Sequence, residues 1–122
     1  SYADLLEPLS YEILVDSPQT LAPGETLTAS KMTVQATIQT VAWTRERATI
    51  KAKHSIAVLT NTSDMPLAYN LSVKAPTRGD CASRGARQHN AMALGPGEVA
   101  EITVCSGETS LEVSKLEVIP LN

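Results

Sequence analysis

Residues 56–73 read IAVLTNTSDMPLAYNLSV. In the second half, Leu67, Tyr69, Leu71 and Val73 alternate with Ala68, Asn70 and Ser72. Successive side chains of a strand point to opposite faces, so this pattern describes one buried and one wetted face. Ile56 and Val58 keep the same period in the first half. Between the halves, Asn61 to Pro66 collects residues that hydrogen-bond their own backbone or preset φ. The stretch predicts an antiparallel hairpin closed by that loop.

Working outward, the period of two recurs. Tyr11 to Val15 reads as a first strand, ended by Asp16-Ser17-Pro18. Met32, Val34, Ala36 and Ile38 alternate with Thr33, Gln35 and Thr37, which suits a half-buried strand, with a helix over 32–43 as the competitor. The apolar phase then slips to Val41 and Trp43, which predicts a β-bulge near Gln39 to Val41. Thr44 to Arg47 turns the chain, and Ala48, Ile50 and Ala52 resume the alternation. Later strands are expected at Asn90 to Leu94, Ala100 to Cys105, and Leu111 to Ile119 with a break at Ser114-Lys115. Leu21-Ala-Pro-Gly-Glu25 and Leu94-Gly-Pro-Gly-Glu98 both place Pro and Gly where a type II turn needs them.

The chain of 122 residues is expected to be a single domain over 1–122, large enough to bury a core. The fold expected is an all-β, Ig-like antiparallel β-sandwich of about seven strands, with a small barrel as the alternative. Ser1 to Ser10 reads as a helical turn or a free arm. One Trp, three Tyr and no Phe leave the core to Val, Ile, Leu and Ala. That scarcity argues against nucleic-acid stacking platforms. No run reaches membrane-spanning length, and any export leader is expected to have been removed.

The net charge of −3 is unevenly distributed. Residues 45 to 89 hold eight basic groups against three acids, a net +5; the rest holds two lysines against ten acids, a net −8. Such polarity steers partners or favours head-to-tail association, unless the strands interleave the two signs in space.

Cys81 in the Gly-rich run 75–88 and Cys105 at a strand end are expected to form one disulfide. On the chain-entropy model it would contribute roughly 3 to 4 kcal/mol. The pairing implies an oxidising, extracytoplasmic compartment; two free thiols in a reducing one is the alternative. The spacing is not that of a CxxC motif, and Trp43 precedes both cysteines instead of lying between them.

Few residues carry chemistry. His89 and Met92 form a weak H-x-x-M metal candidate suited to Cu(I). No hydrolase elbow, metalloprotease helix or phosphate loop occurs, and Ser106, Glu98 and Glu101 have no inferable partner. The chain is therefore expected not to be an enzyme and to need no cofactor. Arg78-Gly79-Asp80 matches the tripeptide integrins read on tight loops. Asn61 and Asn70 each begin an N-glycosylation acceptor pattern.

Val58-Leu-Thr-Asn-Thr-Ser-Asp-Met-Pro-Leu67, with the strand entered through Leu94-Gly-Pro-Gly-Glu98, resembles bacterial extracytoplasmic Ig-like modules. The resemblance implies a periplasmic, secreted or cell-surface sandwich, often part of a fibre or pilus, and assigns no catalytic residue. The expected function is a non-enzymatic protein–protein interaction or assembly module. It would act by self-association or partner pairing through edge strands at Tyr11 to Val15 and Leu111 to Ile119. One alternative is a small secreted binder or inhibitor using Arg78, Arg84 and Arg87 of loop 77–89. Another is a periplasmic metal carrier through His89 and Met92.

Overall fold

The computed structural model describes residues 11–76 and 87–121, apart from the side chains of 87–92. Within these residues the chain is all-β, nine strands in two antiparallel sheets. One sheet holds β1 (Glu12–Val15), β2 (Gln19–Leu21), β6 (Leu67–Lys74), β7 (Arg87–Leu94) and β9 (Leu111–Pro120). Its order is β1-β9-β6-β7, with β2 also pairing β9. The other holds β3 (Thr26–Thr28), β4 (Met32–Arg45), β5 (Ala48–Asn61) and β8 (Val99–Ser106), in the order β3-β4-β5-β8. The count exceeds the seven expected because Asp16 to Pro18 divides β1 from β2, and because three residues, Thr26 to Thr28, suffice for a short edge strand.

The core lies between the sheets. Leu67, Leu71, Val113 and Leu116 from one face Val34 and Leu59 from the other, all fully buried. Burying one such side chain contributes about 1.5–3 kcal/mol, so the paired alternating faces account for the layering.

The stretch 56–73 folds as two strands and a turn, but not as a hairpin. β5 pairs β4 and β8, whereas β6 pairs β7 and β9, so residues 62–66 form an arch from one sheet to the other. Alternation specifies which face is buried and is silent on which neighbour supplies the hydrogen bonds. Asn61, fully buried at the foot of the arch, fixes the crossing. Its Nδ2 donates to Met65 O (2.9 Å) and Leu94 O (2.7 Å), and its Oδ1 accepts from Ser63 N (2.9 Å).

The expected bulge at Gln39 to Val41 is absent: β4 and β5 pair without interruption from Met32↔Asn61 to Arg45↔Ala48. The break at Ser114-Lys115 is a bulge instead, shown by the shift from Ser72↔Lys115 to Val73↔Val113. It lets Val113 and Leu116, an odd and an even position, both face the core.

Both Pro-Gly turns have the expected form. Gly24 and Gly97 have φ of 94° and 77°, and the closing bonds are Glu25 N to Ala22 O and Glu98 N to Gly95 O.

Candidate functional site

β4 outruns its neighbour. β3 pairs with it only from Thr33 to Gln35, and two further bonds, Gly24 N to Ala36 O and Ala36 N to Glu25 O, end that edge. On the other side, β8 reaches β5 no further than His54, with Gly107 N donating to Lys53 O. Beyond these points β4 and β5 continue as a ribbon with no other strand beside them among the described residues, from Thr40↔Lys53 to Arg45↔Ala48. At roughly 3.4 Å per residue, the ribbon extends close to 20 Å.

Exposure on both faces shows that the ribbon stands clear of the sandwich. Thr40, Ala42 and Thr44 on the face continuous with the core are exposed, as are Val41 and Trp43 on the other. The phase slip is thereby explained. Past Ile38 there is no opposite sheet to face, and the apolar residues change sides.

Paired residues share a face, so Val41↔Ala52 and Trp43↔Ile50 form one apolar strip on the outward side. Val41 is 40% and Trp43 45% exposed. Arg45 on the strip's face, Arg47 at the tip and Lys51 on the opposite face have no carboxylate partner among the described residues. Lys53 pairs with Glu108 at 2.7 Å at the ribbon's base. The ribbon is thus amphipathic and basic. Sequence reading found the phase slip at Val41 and Trp43 but explained it by a bulge; the slip itself was the signal.

The tip is a two-residue turn in which Glu46 (φ 51°) and Arg47 (φ 66°) both take left-handed backbone. Such turns match strand twist and favour Asn-Gly, so a Glu-Arg tip is held against its conformational preference.

The other sequence candidates are not gathered here. Cys81, Arg78, Arg84 and the tripeptide Arg78-Gly79-Asp80 lie outside the described residues, so the Cys81–Cys105 pairing cannot be placed; Cys105 is buried at the end of β8. Arg87, His89 and Met92 belong to β7, described by its backbone alone. Among the described residues no three His, Cys, Asp or Glu side chains come together as a metal site. Asn61 is enclosed, and Asn70 Nδ2 donates to Glu117 Oε1 at 2.9 Å, so both amide nitrogens have acceptors. The expected edge at Leu111 to Ile119 is corrected: β9 is interior, flanked by β6 on one side and by β1 and β2 on the other.

A cleft of about 280 Å³ opens where β1 breaks, between Asp16, Ser17, Gln19 and the β3 residues Leu27 and Thr28. Among the described residues, Asp16 is its one ionisable lining group, and no second one stands beside it as an acid–base partner. Across the same side, the Lys31 ammonium donates to Glu12, and Ser30 Oγ donates to Glu12 Oε1 at 3.3 Å. The Lys31 hydrogen bond, more than any other influence, holds the Glu12 carboxyl below its usual value. No described helix is long and apolar enough to cross a membrane.

No protein-family model, curated protein or solved structure matches the chain.

Proposed function

We propose that the protein is a non-enzymatic interaction or assembly module that works outside the cytoplasm and makes its contact through the β4–β5 ribbon. One observation carries this reading: a ribbon free of the sandwich exposes Val41 and Trp43 on one face. An exposed tryptophan with Arg45 two residues along the same face is the composition of an interface anchor, since Trp and Arg dominate binding energy at protein contacts. The strip is too narrow to be a core and lies on the face turned away from it. The mutual placement of acids and bases found elsewhere supports no reaction.

A Cys81–Cys105 disulfide, an Ig-like ancestry and a role in a surface fibre or pilus belong to the same proposal. Burial of Cys105 at the ribbon end of β8 suits a cross-link restraining the following loop.

A photo-cross-linking residue placed at position 43, and separately at Ala68 on the outer face of β6, tests the reading in the native host. The expected result is a polypeptide adduct from position 43 alone, in the extracytoplasmic fraction. Equal adducts from both positions, or none from 43, would overturn it.

A further inference from the structure

We infer that the partner of the ribbon is a second copy of this chain, joined edge to edge along β4 in an antiparallel, two-fold pairing centred on Val41. The inference rests on the ribbon being the contact surface and adds which edge pairs and with what.

Ala36 directs both its N–H and its C=O to the β3 side. Hydrogen-bonding direction alternates along a strand, so Ile38, Thr40, Ala42 and Thr44 direct theirs off the same edge. None of these groups has a partner strand among the described residues, since β3 pairs β4 no further than Gln35. Such an edge invites another strand, and proteins protect edges with charge, proline, bulges or shortness.

The other described edges have such protection. β1 is four residues long with Glu12, and Pro18 follows; β2 and β3 are three residues long each; β7 has Arg87 and a register shift opposite Leu67/Tyr69; β8 has Glu101 and a register shift opposite Ser55/Ile56. The outer edge of β5 has Lys51 and Lys53. The free edge of β4 has none: residues 37–44 read TIQTVAWT, without charge, proline or glycine, and the ladder beside them is unbroken.

The free segment dictates its own register. It runs from Thr37, just past Ala36, to Arg45 at the turn, and its midpoint is Val41. Antiparallel pairing about that midpoint sets Thr40 against Ala42 and Ile38 against Thr44 of the other copy. All four direct their hydrogen-bonding groups outward, so the ladder closes without a shift. A two-fold contact of this kind is self-complementary. The same register sets Arg45 against Thr37 and Glu46 against Ala36 of the other copy, so the tip, in which Arg45 and Arg47 outnumber Glu46, reaches the end of the partner's edge where Glu25 is exposed beside Ala36. Charge complementarity thus favours a second copy over an unrelated strand. Val41 and Trp43 of the two copies then form one continuous apolar band.

Sedimentation of the full chain over a range of concentration tests this, with Thr40→Pro as the probe. Thr40 N–H is directed away from β5, so proline there removes no bond of the ribbon's own ladder. The expected result is a concentration-dependent dimer that Thr40→Pro abolishes while its circular dichroism and unfolding midpoint stay those of the parent. If Thr40→Pro unfolds the ribbon, Glu25→Arg serves instead: it should weaken the dimer, and adding Arg45→Glu and Arg47→Glu should restore it. A strict monomer would overturn the inference, and so would a dimer indifferent to these changes. A monomer that still gives adducts with another polypeptide from position 43 would overturn the inference alone. Absence of both dimer and adducts would remove the proposed function as well.

Discussion

Trp43 stands directly across the β4–β5 ladder from Ile50, on the side of the ribbon turned away from the sandwich core. Two large apolar side chains paired on an outward face contribute little to folding, since burial rather than proximity supplies hydrophobic stabilisation. Trp43→Ala should therefore lower unfolding free energy by less than about 1 kcal/mol. Leu71→Ala in the core should cost about 2–5 kcal/mol. Chemical denaturation of the two variants checks the contrast, and a loss at Trp43 as large as that at Leu71 would mean the ribbon packs against the body.

The tip offers a second expectation. Glu46 and Arg47 occupy left-handed backbone that costs an ordinary residue roughly 1 kcal/mol each. Replacing them with Asn-Gly should raise stability by about 1–2 kcal/mol. Thermal unfolding measures it; an unchanged midpoint would show that the strain is relieved in solution.

Asn61 ties the arch at residues 62–66 to the turn after β7. Asn61→Ala leaves Met65 O and Leu94 O without their donor and should cost about 2–3 kcal/mol. Asn61→Asp, which keeps the Ser63 contact but loses the donor, should recover little of it. Urea midpoints of the two variants decide the point.

Two titrations set the pH range. The Glu12 carboxyl is lowered by its Lys31 hydrogen bond, so the tie between β1 and the β3–β4 turn is complete above 4.5 and is lost as pH falls through the folded value. Amide exchange in β1 should therefore accelerate in acid relative to β6. Burial raises the Tyr69 phenol above 10.0, so the native state favours the neutral ring. Stability is unaffected below that value and falls as pH rises beyond it. Tyr69→Phe should blunt the alkaline loss.

Several of these features are legible in the residues themselves. The alternation of Leu67, Tyr69, Leu71 and Val73 gives a strand and its buried face, and Pro23-Gly24 and Pro96-Gly97 give their turns, because both are local chemistry. Pairing is not local. Nothing in IAVLTNTSDMPLAYNLSV distinguishes a hairpin from an arch, since Asn61 caps either loop and only Leu94, 33 residues on, reveals which. The two phase slips make the same point. At Ser114 the strand has a core along its whole length, so it bulges to keep Leu116 inside. At Gln39 the core ends, and the strand runs straight with Val41 and Trp43 turned outward. An identical pattern has two outcomes, decided by what lies opposite. The ribbon, and with it the candidate site, was therefore written in the sequence as a phase slip but read as a bulge.

Trp43 is the chain's only tryptophan, so its fluorescence reports the ribbon alone. The most direct measurement is its emission and quenching by iodide, in dilute solution and again as the contact forms on concentration or on adding a captured partner. The account predicts a solvent-exposed, readily quenched indole when dilute, shifting to shorter wavelength and protected when assembled. An indole already shielded in the dilute monomer, or one equally quenchable in the assembled state, would contradict it.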